Sequence, residues 1–475
     1  MKRLLLYLSA LLLCWACADD DAFTTSSSAR LVFSTDTVRL DTVFATVPSR
    51  TYDFWVYNQA NKGVRLESVR LRSGNQTGFR VNVDGAYLDN ALGSIATGLE
   101  LRQGDSLRVF VELTTPEVLQ QEPQLFEDDL VFRLESGVEQ KVNLRSYAWD
   151  AMQLRDWKVT ENTTFESEKP VIVYGGIEVA EGVQLTIRNT TLYFHDSAAL
   201  NVYGTLVATN TVMRGDRLDH MFDYLPYDRV SGQWEGVRFH EQSFDNYLYQ
   251  TEIRNAHGGI VCDSTAFDRN RLRLYMERCI VHNCDGPGLS AKNSYIGMLN
   301  CQITNTQGDC LAVYGGALVM AYCTLAQFYP FTAERGVALR FSNWLDGYDY
   351  PLYAMNCTNS LITGYDDDVV MGEAGDNEEC PFDYSFTNCL LRTPVVDDSV
   401  RFVNIVWETP KDSLQGKQHF QLIDEDNLIY NFQLDSLSTA RGKALHQPLY
   451  NTDLLGRPRK KTPDIGCYEY SELSE

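Results

Sequence analysis

Met276-Glu277-Arg278-Cys279-Ile280-Val281, Met298-Leu299-Asn300-Cys301-Gln302-Ile303 and Met320-Ala321-Tyr322-Cys323-Thr324-Leu325 repeat one pattern at intervals of 22 residues. Self-similarity at a fixed period marks a chain built from stacked units. A period near 22 that holds short apolar runs is about one coil of a right-handed parallel β-helix, with three short strands per turn. Equivalent residues of neighbouring coils then lie about 4.8 Å apart, the distance between paired strands. Cysteine suits such a stack because it is small, apolar and readily buried. Stacked equivalents carry parallel Cβ vectors, so a reduced ladder is expected rather than disulfides.

The pattern extends both ways. Upstream, Gly176-Ile177-Glu178-Val179, Gln184-Leu185-Thr186-Ile187, Thr191-Leu192-Tyr193-Phe194 and Leu200-Asn201-Val202-Tyr203 read as short strands with glycine at corners. Downstream, Asn356-Cys357 and Asn388-Cys389 repeat the Asn-Cys pair and carry the coil to about Arg392, with Asn side chains as candidate amide ladders. At the end stand Gly456-Arg457-Pro458-Arg459 and Asp464-Ile465-Gly466-Cys467-Tyr468-Glu469. This pair resembles the terminal motif of many exported bacterial β-helix proteins, with Cys467 where a small residue such as Ala is usual. Such a tail is expected to close the open edge of the last coil.

The first residues address the chain to export. Lys2 and Arg3 precede an apolar run, Leu4 to Leu13, that is shorter than a membrane span. Ala16 before Cys17 resembles the bacterial lipobox, and Ala18-Asp19-Asp20-Asp21 resembles the surface-export signal of lipoproteins in Bacteroidetes. The resemblance implies lipidation at Cys17, an anchor in outer-membrane lipid and exposure at the cell surface. Two or more acyl chains give stable anchoring. Residues 1–16 are then a lipoprotein signal peptide and 17–30 a tether.

Residues 31–150 alternate polar and apolar positions in runs such as Thr51 to Asn58, Gly63 to Val69, Phe79 to Val83, Ser106 to Val111 and Leu130 to Leu134. The spacing points to an antiparallel β-sandwich. It resembles the immunoglobulin-like domains that precede larger modules in exported bacterial proteins. The expected fold class is therefore all-β, an immunoglobulin-like sandwich followed by a right-handed parallel β-helix over 151–470.

Charge and composition narrow the function. With 41 basic and 64 acidic residues the chain carries a net charge of −23, which disfavours nucleic acid. Polyanions would be repelled too, unless a local basic patch or bound cations intervened. Ten of the twelve cysteines lie from Cys262 onward.

Chemistry-bearing residues are scattered. Asp309, in Gly308-Asp309-Cys310, resembles the second carboxylate of the Asp-Asp-Cys segment of polygalacturonase-like glycosidases, but Gly308 replaces the first. Hydrolysis of a glycosidic bond needs two carboxylates, so a structural turn is the competing reading for Asp309. Asp366, Asp367 and Asp368 could hold calcium for a lyase, although the spacing misses the EF-hand pattern and a solvated acidic loop competes. The seven histidines form no zinc spacing.

Aromatic residues in polar loops offer another kind of site. Asn343-Trp344-Leu345-Asp346-Gly347-Tyr348-Asp349-Tyr350 presents Trp344, Tyr348 and Tyr350 as a candidate sugar-binding patch, inserted where the 22-residue phase is lost. Asp followed by Ser or Thr and then an apolar residue or Thr, at Thr37, Thr42, Ser106, Ser197, Ser264, Ser399, Ser413 and Ser436, resembles the O-glycosylation sequon of Bacteroidetes.

These features lead to a lipid-anchored surface protein that binds glycan or another cell surface without catalysis and needs no cofactor. The alternatives are a polysaccharide lyase or glycoside hydrolase, with calcium in the lyase case, and a structural component of an outer-membrane assembly.

Overall fold

A computed structural model of the chain describes residues 22–116, 123–219, 226–408 and 416–472. The signal peptide, Cys17 and Ser413 lie outside the described residues. Two compact units divide at Ala151.

In the first unit, alternation builds two sheets on one core. Ser106–Leu113 turns Leu107, Val109, Val111 and Leu113 inward. It is the middle of a five-stranded sheet with Val32–Phe33, Tyr52–Tyr57, Phe79–Val83 and Ala86–Tyr87. The facing six-stranded sheet is built on Gln124–Leu134 and Glu139–Trp149, and Leu66, Val69, Phe132 and Leu144 from it join the same buried cluster. Most pairings are antiparallel, but Thr37–Arg39 runs parallel to Glu139–Trp149. The described part of the expected tether is docked, not free. Phe23 bridges Gly63, Arg65 lies 4.2 Å over the Phe23 ring, and Ala29 is buried.

The second unit is one continuous 23-stranded sheet wound into three faces, every pairing between coils being parallel. The coil containing Leu311–Ala321 shows the plan. Leu311 to Tyr314 pair with Leu289 to Lys292 on the second face, and Ala317 to Ala321 pair with Tyr295 to Leu299 on the third. Thr324 to Ala326 pair with Gln302 to Thr304 on the first face. Between second and third faces the chain turns at Gly315 and Gly316, whose φ values of 69° and 80° suit residues lacking a Cβ. Inward columns of Leu, Ile, Val and Met fill the interior, for example Leu248, Met276, Met298 and Met320.

The corner from third to first face explains the cysteines. Asn189, Asn210, Gln250, Arg278, Asn300, Tyr322, Asn359 and Asn388 all adopt left-handed backbone there, a region asparagine tolerates best. The next residue in each case is Thr190, Thr211, Thr251, Cys279, Cys301, Cys323, Ser360 and Cys389. Each of these donates its side-chain O–H or S–H to the carbonyl two residues earlier. The row therefore selects a small buried donor rather than cysteine as such. All ten described cysteines from Cys262 onward are free and buried. Thr251→Val, which keeps shape and removes the donor, should cost about 1–3 kcal/mol in chemical denaturation, while Cys301→Ser should stay within about 1 kcal/mol.

Two expectations are corrected. Asn388-Cys389 sits in the row, but Asn356-Cys357 does not. Cys357 pairs with Met320 and takes a methionine place in the inward column, while Ser360, 37 residues after Cys323, occupies the cysteine place. The phase shifts because residues enter twice, over 328–338 as well as at the 343–351 loop.

The C-terminal motif also does not close the last coil; it returns along the flank. Corner side chains hold it as rungs: Asn359 donates to the Leu445 carbonyl, Asn300 to Thr452 and Arg278 to Leu454. Ile465 packs on Ala326, Leu361 and Leu390, and Cys467 N–H donates to Thr324 Oγ1 at 3.1 Å. Amide-to-amide bonds occur at Asn210 to Asn189 and at Asn283 to Asn255.

Candidate functional site

The outward side of the first face is where the second unit gathers chemistry. Tyr193, Arg214, Arg254, His282 and Thr304 are successive in-register partners from coil to coil. In a parallel stack each is the neighbour of the next at about 4.8 Å between strands. Downstream, the hairpin of Phe420–Asp424 and Ile429–Leu434 covers this face, with Phe420 and Phe432 packed on Phe328.

Where that hairpin meets Glu252, Arg254, Ile280 and His282 it leaves a cavity of about 330 Å³. The floor is Glu252, Arg254, His282 and Gln302; Tyr430, Phe432 and Tyr468 form one wall, and Asp228 and Arg229 another. Arg214 and Asn255 donate to the Asp228 carbonyl and Asn283 to that of Arg229, fixing the second wall. Arg229 Nη1 donates to Asn427 O at 2.9 Å and ties the two walls together.

Its electrostatics are mixed. Arg254 pairs with Glu252 at 3.2 Å, and its Nε is buried with no hydrogen-bond partner among the described residues. The Tyr430 hydroxyl is likewise buried without a hydrogen-bond partner among those residues. Burial, and then the Arg254 charge, push His282 down to about 4, so the ring is neutral at ordinary pH. Its Nδ1 lies 2.9 Å from Thr304 Oγ1. Neutral imidazole, phenol, amide and guanidinium groups beside aromatic edges suit recognition of a hydroxyl-rich ligand.

A second concavity of about 380 Å³ shares the Tyr227–Arg229 turn and is lined by His195, Asp216, Arg217, Tyr227 and Gln233. His195 Nδ1 lies 2.7 Å from Asp216 Oδ2, and burial pushes the Asp216 carboxyl up against the opposing pull of that histidine.

The residues singled out in the sequence lie elsewhere. Asp309 accepts from Arg340 Nε at 2.7 Å and from Val337 N–H at 2.8 Å, and Arg340 also reaches Glu373 at 3.4 Å. The geometry is that of a braced turn, with Cys310 fully buried beneath it. Asp309→Asn should cost about 1–2 kcal/mol in denaturation, through loss of a charge-assisted bond, and leave ligand binding unchanged.

Trp344 and Leu345 pair with Asp349 and Tyr348 in a two-residue hairpin whose tip, Asp346-Gly347, has positive φ at both positions. Trp344 is 40% and Tyr348 70% exposed, whereas Tyr350 is half-buried against Gly315. Burial first, and then the charges of Asp309, Glu373 and Asp346, push the Tyr314 phenol up, while Arg340 opposes them. The structure thus brings Asp309 and the Trp344 hairpin to one side of the coil.

The acidic loop is tied down by a residue distant in sequence. Arg392 Nε donates to Asp366 O at 2.7 Å and Nη2 reaches Asp367 at 3.4 Å, while Asp368 accepts from Val370 N–H. Among the described residues no group of three or more His, Cys, Asp or Glu side chains is arranged to hold a metal ion. Of the O-glycosylation candidates, Ser197, Ser264, Ser399 and Ser436 are exposed, and Thr37, Thr42 and Ser106 are half-buried.

No family model matches the chain, and no curated protein matches it. Among solved structures, the catalytic domain of a GH87 α-1,3-glucanase in complex with nigerose aligns over 76% of this chain and 87% of its own, at 8% identity and a TM-score of 0.26. The catalytic unit of a GH87 α-1,3-glucanase from Streptomyces thermodiastaticus aligns over 75% and 89%, at 10% identity and a TM-score of 0.24. A family 123 glycoside hydrolase from Clostridium perfringens aligns over 27% of this chain and 30% of its own, at 6% identity and a TM-score of 0.19. This chain therefore spans less than a third of the Clostridium enzyme. Similarity at this level carries no argument about activity, and the parallel coil rests on the strand register itself.

Proposed function

We propose that this protein is a carbohydrate-binding protein of the bacterial outer surface, anchored through a lipidated Cys17 and carrying an immunoglobulin-like domain ahead of a right-handed β-helix. The observation that carries the binding role is the first-face cavity, where the Tyr430 phenol and the Arg254 guanidinium stand beside the His282 and Phe432 rings. Phenol, imidazole and guanidinium groups beside aromatic edges suit a hydroxyl-rich ligand. The lipid anchor, the surface location and the sandwich type rest on sequence resemblance.

The test is titration calorimetry of the form lacking residues 1–17 against plant, microbial and host oligosaccharides, with products assayed in parallel. Binding without turnover is expected, and Tyr430→Ala should weaken it at least tenfold by removing an aromatic wall and a donor. New reducing ends or unsaturated uronate products would overturn the non-catalytic reading. They would favour the hydrolase or lyase alternative, for which Asp228 and Glu252 are the two carboxylates of the cavity.

A further inference from the structure

The chain as a whole is strongly acidic, yet its cavity is not. Arg214 and Arg254 are in-register partners on adjacent coils, so two guanidinium side chains leave the same face one strand spacing apart. Arg229 enters from the turn above. Along the lining Asp228 and Glu252 balance Arg229 and Arg254, and His282 on the next coil is neutral, so the cavity is electrically even in a protein of net charge −23, with Arg214 buried behind it.

Like charges stacked this way oppose each other unless something answers them. Arg214 is 6% exposed and its hydrogen bonds go to the carbonyls of Gly215, Arg217 and Asp228, so it is built into the scaffold. It is pushed down to about 10, by burial first and by Arg254 second, which is the imprint of that opposition. Arg254 is different. Among the described residues its ion pair is with Glu252, and its side chain is 34% exposed on the cavity floor. A planar guanidinium with donors to spare favours two-pronged contact with a carboxylate or sulfate.

We propose that the sugar taken by this cavity bears an acidic group, a carboxylate or a sulfate, and that Arg254 receives it. This rests on the carbohydrate-binding reading above and narrows it. The long-range charge of the protein repels polyanions, so the recognition is local and short-range, suited to an acidic residue whose neighbours in the chain are neutral.

The experiment compares four matched oligosaccharides on the wild-type protein: one with a uronate, its methyl ester, one with a sulfate, and the neutral parent. At least one acidic form should bind ten times or more tighter than the ester and the parent, with an affinity that falls as salt rises; which of the two acids gains identifies the group. Arg254→Gln should abolish the preference, so that acidic and neutral forms bind with equal affinity. Tyr430→Phe, which keeps every charge, should weaken acidic and neutral forms alike and leave their ratio intact. Equal affinity for acidic and neutral forms in the wild type would overturn the proposal while leaving carbohydrate binding standing. A preference that survives Arg254→Gln would overturn the assignment to Arg254. Binding of none of the four or of any array sugar would overturn the carbohydrate reading itself.

Discussion

Replacing Arg392 by leucine is expected to lower the stability of the β-helix unit by about 3–5 kcal/mol in chemical denaturation, the largest loss anticipated for any single polar side chain of the coil. Arg392 has no exposed surface. Its Nη1 lies 3.0 Å from Glu408 Oε1, and its Nε holds the Asp366 carbonyl at 2.7 Å. Glu408 also accepts from Thr363 Oγ1 at 2.6 Å and Gln418 Nε2 at 3.2 Å, with His419 Nε2 at 3.5 Å. Removing the guanidinium strands a buried carboxylate, which costs far more than the pair's net worth. The double variant Arg392→Leu with Glu408→Leu should therefore be more stable than Arg392→Leu alone.

The same network sets a pH dependence. Burial pushes the Glu408 carboxyl up, but His419, Thr363 and Arg392 together outweigh it and hold it below its ordinary value. A carboxyl held low in the fold contributes stability that is fully present above its unfolded pKa and is lost as pH falls through the folded one. Acid denaturation of the wild type should accordingly steepen below the ordinary carboxylate range, and Glu408→Gln should flatten that limb.

Arg459→Ala is expected to release the returning C-terminal segment, at a cost of about 2–4 kcal/mol. Arg459 is 8% exposed. Its Nη2 donates to Asn300 Oδ1 at 2.7 Å and Gly466 O at 3.0 Å, its guanidinium lies 3.9 Å over the Tyr322 ring, and Nη1 is 3.4 Å from Glu469. Asn300 and Tyr322 are corner residues of the coil, so this one side chain joins the segment to the scaffold. Faster hydrogen exchange and proteolysis over 440–470, together with weaker sugar binding through displacement of Tyr468, are the expected readouts. The exposed pair Arg65–Glu100 is the control, and its loss should change stability by less than about 1 kcal/mol.

The coil was legible because three consecutive turns, at Cys279, Cys301 and Cys323, carry no insertion, so identity and spacing coincide. Beyond Cys323 they part. Two insertions shift the phase, and Cys357 then matches by identity a row to which it does not belong, while Ser360 fills the place by hydrogen-bonding ability. Thr190, Thr211 and Thr251 are hidden in the sequence for the same reason, since what recurs is a small donor and not a residue type. The corner backbone is equally hidden where Arg278 and Tyr322 adopt the left-handed conformation usually taken by asparagine.

The cavity was illegible for a different reason. Its floor comes from residues 252–302 and one wall from residues 428–432 and Tyr468, and only folding back along the flank brings them together. A partial signal existed. Arg214, Arg254 and His282 each stand three residues after a member of the donor row, Thr211, Thr251 and Cys279, so an alignment by hydrogen-bonding role would have stacked them. The Trp344 hairpin, by contrast, was readable as exposed aromatic surface from local sequence alone, because a two-residue turn needs nothing distant.

Hydrogen–deuterium exchange on the soluble protein, with and without a saturating oligosaccharide chosen from the array, tests the central claim most directly. Protection confined to residues 252–255, 280–283 and 428–432 is the expected result, because ligand in the first-face cavity touches those backbones and steadies the hairpin above them. Protection at 344–350 with none at 428–432 would contradict the account and move the binding site to the aromatic hairpin.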